Sequence, residues 1–271
     1  MASAESSVFK YLALGRAGTD KLKFACFGLF AQHTGGPRSL VQKVLHRVIP
    51  PIWLKPAILG GRQLLIKPTD WSHTIIFDEV FLEKNYDLAQ LKFVPDLILD
   101  CGAHIGLFSL MAATHFPAAT IYAFEPNPNN TKYIRQQIAK NSLPIQLIES
   151  PVSIEAADRY FWKGDSHNSR LLEGGSHESI AYRVRTVDLP AMLLELKPRK
   201  LLLKLDVEGE EEAILPRIVP ILPRECAVFF ETHAGQEGWE RASGLLSAQG
   251  FSVRQTNMRD LYADGIAIRG V

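Results

Sequence analysis

From Asp96 onward, apolar and polar positions alternate between short buried runs and amphipathic stretches. Leu97-Ile98-Leu99-Asp100 is apolar up to its last residue, as a strand covered on both faces should be. A glycine-bearing turn and a helix over 108–115 follow, then a strand over 120–124, a helix over 129–141 and a strand over 145–148. A polar, glycine-containing stretch over 163–179 reads as an irregular excursion or hairpin, before a helix over 186–196. Leu201-Leu202-Leu203-Lys204-Leu205-Asp206 is the next strand, with a glutamate-rich helix over 209–217, a strand over 227–231 and a helix over 239–249. Strands over 251–255 and 265–268 close the chain. Alternating strand and helix predicts an α/β fold with a doubly wound parallel sheet. The loop between the last two strands is too short for a helical crossover, so they should pair antiparallel.

The first 62 residues are less regular. Helical periodicity is plausible over 8–30 and 39–48, with Gly35-Gly36-Pro37 and Pro50-Pro51 as breaks. We expect a helical N-terminal extension over 1–62 and a single catalytic domain over 63–271, opening with a short strand, Leu64-Leu65-Ile66, and a helix over 75–82.

Composition narrows the function classes. Apolar residues make up 46% and charged residues 22%, with a formal net charge of +1. This is ordinary for a globular protein and offers no basic track for nucleic acid. Cys26, Cys101 and Cys226 have no metal spacing, and an odd count of three argues against a disulfide framework. The N-terminus lacks the basic-then-apolar pattern of a signal peptide, and the apolar run around Phe24 is too short to span a bilayer. The expectation is a cytoplasmic protein with no nucleic-acid partner and no membrane span. Oligomeric state is open.

The chemistry concentrates where the first strand ends. Asp100-Cys101-Gly102-Ala103-His104-Ile105-Gly106 has the form D-x-G-x-x-x-G at a strand-to-helix turn. Gly102 permits the sharp turn and puts no side chain between chain and ligand, so that a branched side chain there would fill ligand space. Gly106 lets the helix pack close to the sheet. Asp100 is placed to accept turn amides or meet a ligand ammonium. A dinucleotide fingerprint needs glycine where His104 stands, because a pyrophosphate must approach bare backbone. S-adenosyl-L-methionine has no phosphate and tolerates the looser pattern. Glu125 ends the next strand about twenty residues on, where an acid can accept ribose hydroxyls. Pro126 then fixes the exit from that strand. The cofactor set is therefore Asp100, Gly102, Ala103, His104, Ile105, Gly106, Glu125 and Pro126.

These residues resemble the FkbM-type methyltransferases. The strongest pieces are Ile98 through Ser109, Ala123-Phe124-Glu125-Pro126-Asn127-Pro128 and Leu203-Lys204-Leu205-Asp206-Val207-Glu208-Gly209; Tyr86-Asp87 and Phe230-Glu231-Thr232-His233 fit more loosely. Many members carry Asn in place of His104 and a small residue in place of Cys101. The resemblance implies a Rossmann-like methyltransferase fold, a mostly parallel seven-stranded sheet with one antiparallel strand, and O-methylation of a small molecule or sugar. It also implies that the strand ending at Asp206 lies beside the first.

On that topology, Lys204, Asp206, Glu231 and His233 are the catalytic candidates. His233 has the intrinsic pKa of a general base. Asp206 would orient it, act alone, or join Glu231 and His233 around a divalent metal; as a plain helix cap it would do none of these. Lys204 in a buried strand would pair with a carboxylate. Glu210, Glu211 and Glu212 read as acids favoured at a helix N-terminus, and His167-Asn168-Ser169-Arg170 as a possible acceptor-lining loop. A protein that binds the cofactor without transferring a methyl is the alternative.

Overall fold

The computed structural model describes residues 10–15, 18–31, 46–83, 85–162, 170–172, 181–258 and 262–270. Helix α1 is Gly18–Ala31; strands β1 (Ile52–Leu54) and β2 (Leu64–Ile66) pair antiparallel; α2 is Trp71–Phe81. Then come β3 (Leu97–Cys101), α3 (Leu107–His115), β4 (Thr120–Phe124), α4 (Pro128–Asn141) and β5 (Ile145–Ile148). An excursion follows, with β6 (Val152–Ser153), β7 (Asp158–Trp162), β8 (Leu171–Leu172), β9 (Ala181–Arg185) and β10 (Val187–Asp188). The chain ends with α5 (Leu189–Leu196), β11 (Lys200–Leu205), α6 (Glu211–Ile218), β12 (Glu225–Thr232), α7 (Gly235–Ala248), β13 (Ser252–Met258) and β14 (Ala263–Arg269).

Seven strands form the main sheet in the order β13-β14-β12-β11-β3-β4-β5. β11, β3, β4, β5 and β12 run parallel, and β14 lies antiparallel to both its neighbours, as expected. Period-two alternation sorts the strands onto two faces. Ile98, Leu202, Ala227 and Phe229 join α2, α3, α4 and the N-terminal residues in one core. Leu97, Leu99, Leu201, Leu203 and Val228 join α5, α6 and α7 in the other. β3 is buried at all five positions, which explains its unbroken apolar run.

Side-chain caps fix several helix starts. Asp70 accepts from Ser72 N, so α2 begins four residues before the expected 75. Asn127 caps α4 with Pro128 in its first turn, and Asp188 caps α5. The excursion holds a three-stranded antiparallel sheet, β8-β7-β9; most of 163–179, including 167–169, lies outside the described residues.

The N-terminal extension is not wholly helical. Its predicted helix over 8–30 is broken near Gly15, which bridges Pro56, and most of 39–48 lies outside the described residues. The β1–β2 hairpin crosses the expected boundary at residue 62. Tyr11 Oη donates to Asp78 at 2.7 Å, and Phe24, Phe27 and Tyr11 pack on Phe77 with ring centroids 4.9–6.1 Å apart. No helix of the described residues is long and apolar enough to cross a membrane. Phe77 is fully buried at the junction. Phe77→Ala should lower unfolding free energy by about 3–5 kcal/mol in denaturant titration. A loss below about 1 kcal/mol would mean that the extension does not depend on this core.

Candidate functional site

The site forms at the carboxyl ends of β3, β4, β11 and β12. After Cys101 the backbone takes left-handed conformations at Gly102 (φ 83°), His104 (φ 51°) and Gly106 (φ 81°). Amides of Gly102 and Ala103 donate to Phe124 O, so the turn is tied to the end of β4. Glu125 completes the tie. Its carboxylate accepts from His104 N and Asn127 N, both at 2.8 Å, and from Asn130 Nδ2 at 3.3 Å. Burial pushes the Glu125 carboxyl up to about 8, outweighing these donors.

A cavity of about 330 Å³ opens beside this turn. Gly102, His104, Glu125 and Pro126 border it. Asp206, Glu231 and His233 border it too, so the strand-end prediction brings the expected residues together. The remaining predicted cradle residues lie behind the wall. Asp100 is fully buried, accepts from Ser109 Oγ at 2.5 Å, and is held above its ordinary value by burial. Ala103 and Ile105 are core residues. Gly106 faces Ile134 of α4, where a Cβ would sit 3.1 Å away, so it admits the second helix and not the sheet.

Gly102 also departs from expectation. A Cβ there would lie 1.8 Å from Asp206 O, in the neighbouring strand's backbone and not in ligand space. The glycine exists to let the ends of β3 and β11 meet. Lys204 locks the same junction: its Nζ donates to Gly102 O at 2.8 Å and Asp206 Oδ2 at 3.0 Å, and lies 3.8 Å from Asp100 Oδ1. Burial pulls the ammonium down, but Asp206 and Asp100 together raise it above its ordinary value. A lysine held this way is favoured as a cation and fixes the groups it touches.

His233 stands among carboxylates. Its Nε2 lies 3.2 Å from Glu208 and 3.7 Å from Glu231, and its Nδ1 lies 3.3 Å from Glu211. Burial disfavours the imidazolium, but the carboxylates of Glu208 and Glu211 outweigh it and push the pKa up to about 12. Carboxylates on both ring nitrogens favour the imidazolium, a form that cannot take up a further proton. Glu231 is pushed up to about 9 by burial and by Asp206 and Asp264. Asp206, Glu211 and His233 offer ligand atoms within 4.8 Å of one another, so the set with metal-holding spacing contains Glu211 where Glu231 was expected.

Sequence reasoning missed three kinds of residue. Glu211 was read as a helix-dipole acid; it is 1% exposed and accepts from Val207 N and Gly209 N at 2.7 and 2.8 Å, clamping the loop after β11. Glu208 (φ 56°) is turned towards His233 by that loop. Trp71, Glu79 and Tyr262 reach the cavity from distant segments with no local motif to signal them.

Two outcomes follow from this geometry. Gly102→Ala should destabilise the fold by about 1–3 kcal/mol as well as impair the site, since a positive φ and a backbone clash coincide; an unchanged melting temperature would show that β3 and β11 can part freely. The ¹⁵N shifts of His233 should remain those of an imidazolium at pH 8, and Glu208→Gln should lower its pKa. A neutral ring at pH 8 would restore the base assignment.

The methyltransferase FkbM domain model matches residues 100–253, more than half of the 271-residue chain. The chain is 26% identical over 214 residues to the 31-O-demethyl-FK506 methyltransferase FkbM of Streptomyces tacrolimicus, covering 66% of this chain and 81% of that protein. It is 42% identical over 66 residues to methyltransferase sdnD of Sordaria araneosa; this match spans 24% of this chain and only 25% of that protein. Methyltransferase FkbM of Methylobacillus flagellatus is a structural neighbour with a TM-score of 0.48 at 12% identity, covering 96% of this chain and 58% of that one. The D-x-G turn, its Glu125 clamp and the strand ending at Asp206 all fall within the matched segment, and the chain belongs to the FkbM methyltransferase family.

Proposed function

We propose that the protein is an S-adenosyl-L-methionine-dependent methyltransferase acting on a hydroxyl of a small molecule or sugar. One observation carries this reading: a single cavity is bordered by the Glu125-clamped glycine turn at one end and by Asp206, Glu231 and His233 at the other. The donor set fits such a cofactor. Among the described residues the cavity is lined by carboxylates, two histidines and apolar side chains, with no lysine or arginine, which suits cationic groups and hydroxyls and is poor for phosphate. When bound, S-adenosyl-L-methionine supplies a methyl on a sulfonium, which becomes a neutral thioether on transfer.

The chain's own residues have three tasks. Glu125 holds the ribose. A carboxylate has about four acceptor directions, and three donors already occupy Glu125. One strong ribose bond is therefore available, where the sequence suggested two. Lys204 fixes Asp206 and the Gly102 carbonyl in place. Glu231 receives the acceptor's proton, since Asp206 is held by Lys204 and His233 is favoured in its protonated form. A metal at Asp206, Glu211 and His233 is a second way to acidify the hydroxyl, supported only by their spacing.

Above pH 8, where the Glu125 carboxyl is ionised, Glu125→Gln should raise the S-adenosyl-L-methionine Kd about 10–100-fold in calorimetry, the loss of one hydrogen bond to a charged group. Unchanged affinity would place the ribose elsewhere, and no binding by the wild type would sink the cofactor reading. Glu231→Gln should lower kcat about 10²–10⁴-fold with little change in cofactor Kd. Glu231 is protonated below its raised pKa and cannot accept a proton there. Wild-type kcat should therefore rise with pH on a limb at or below about 9, lowered when the sulfonium binds, and Glu231→Gln should lack that limb. A chelator that abolishes the wild-type rate would shift the role to a metal.

A further inference from the structure

Asp206 and Glu231 border a second, much smaller void as well as the cavity, and its volume is about 10 Å³. That is close to the least space in which one water molecule fits. Tyr86, Lys204, Thr256 and Asp264 also stand in its wall.

Two polar groups there have bonding capacity that the described residues leave unused. Lys204 is 1% exposed, and an ammonium carries three donors. Gly102 O and Asp206 Oδ2 take two of them. Asp100 Oδ1 lies 3.8 Å from Nζ, beyond hydrogen-bond reach, and the Tyr86 ring centroid lies 5.9 Å away, at the limit of a cation–π contact. The second group is Thr256 Oγ1, which is buried and has no hydrogen-bond partner among the described residues. The sheet itself sets its position. β13 pairs with β14 at Gln255↔Gly265 and next at Asn257↔Asp264, so Thr256 is the extra residue of a β-bulge. A bulge re-aims the side chains around it, and Thr256 borders the same void as Lys204.

We propose that this void binds one ordered water, held by Thr256 Oγ1 and the Lys204 ammonium and set against the carboxylates of Asp206, Glu231 and Asp264. The water accepts from Lys204, donates to a carboxylate and shares a hydrogen bond with the hydroxyl, about three bonds, as is usual for a buried water. A metal ion in its place would face the Lys204 ammonium. The water extends the Lys204 junction from β3 and β11 to the β13–β14 hairpin. It holds Asp206 and Glu231 at one void while both face the cavity, which makes Thr256 a positioning residue for methyl transfer. That role rests on the methyltransferase reading above, whereas the water site does not.

Water-selective NMR on ¹⁵N-labelled protein without cofactor tests the site. The Lys204 Nζ protons should show a cross-peak to a long-lived water in the wild type. Thr256→Val should abolish it and Thr256→Ser should keep it. Valine also leaves a buried donor without its partner and should lower Tm by at least about 2 °C, with serine within about 1 °C of the wild type. No cross-peak in the wild type overturns the proposal, whether or not the valine variant folds. An unchanged or raised Tm in Thr256→Val overturns it too, since that is the result of removing a hydroxyl from a dry void. The positioning role is read by calorimetry, as the ratio of the S-adenosylhomocysteine Kd to the S-adenosyl-L-methionine Kd. Thr256→Val should lower this ratio several-fold, because Asp206 and Glu231 lose their alignment on the sulfonium, and Thr256→Ser should restore it. An unchanged ratio in a valine variant that has lost the water overturns that role. A wild type that binds neither ligand removes the methyltransferase reading and the positioning role with it, and leaves the water site to the NMR result.

Discussion

Lys204 lies inside β11 at 1% exposure, with its ammonium between Asp100 and Asp206 and hydrogen-bonded to the Gly102 carbonyl. A buried charge is costly unless fully matched, and removing one partner of such a group typically costs more than the pair contributes. The three groups it touches belong to the ends of two parallel strands whose backbones approach closely enough to exclude a Cβ at Gly102. The ammonium and the glycine thus act on one junction: one draws β3 and β11 together, the other leaves them room. The position of Asp206 at the cavity follows from both.

Two carboxylates extend this frame outward. Glu125 accepts backbone amides from the turns after β3 and β4, and Glu211 accepts amides at Val207 and Gly209 after β11. Each satisfies donors that a strand-to-helix transition would otherwise leave unpaired. The acids around the cavity therefore divide by partner. Glu211 faces backbone amides and shapes a loop, Glu208 balances His233, and Glu231 faces the cavity among other acids.

Much of the fold was legible because the strands are buried on both faces. Leu97 to Leu99 and Leu201 to Leu203 leave no other reading, and the short last loop forced β14 to run antiparallel. The cofactor end was legible in part, since Gly102, His104, Glu125 and Pro126 border the cavity while Asp100 and Gly106 serve the packing behind it. A local motif locates a turn, but which side of the turn faces solvent depends on the neighbouring strand. Charge state was the least legible feature. His233 reads as a base in isolation; Glu208 in the loop after β11 and Glu211 at the start of α6 flank its ring and favour its charged form. Glu79 and Trp71 reach the cavity only because the N-terminal face packs against the sheet, a tertiary contact with no signature near either residue.

The proposed chemistry gives the acids at the cavity a further consequence. Were the cofactor held in this cavity, the charge of Glu231 and Asp206 would stabilise its sulfonium and not the thioether left after transfer. The cavity would then bind the donor more tightly than the spent cofactor, so electrostatics would favour loading before the reaction and release after it. On the proposed chemistry the acceptor's proton would move to Glu231, which would become neutral as the sulfonium does. Loss of a positive and a negative charge together keeps the low-dielectric site balanced through the step. A carboxyl whose pKa is raised by burial and by its acidic neighbours is suited to that exchange, because it holds a proton readily once the cation is gone. His233, favoured as a cation by Glu208 and Glu211, supplies a constant field against which that exchange occurs.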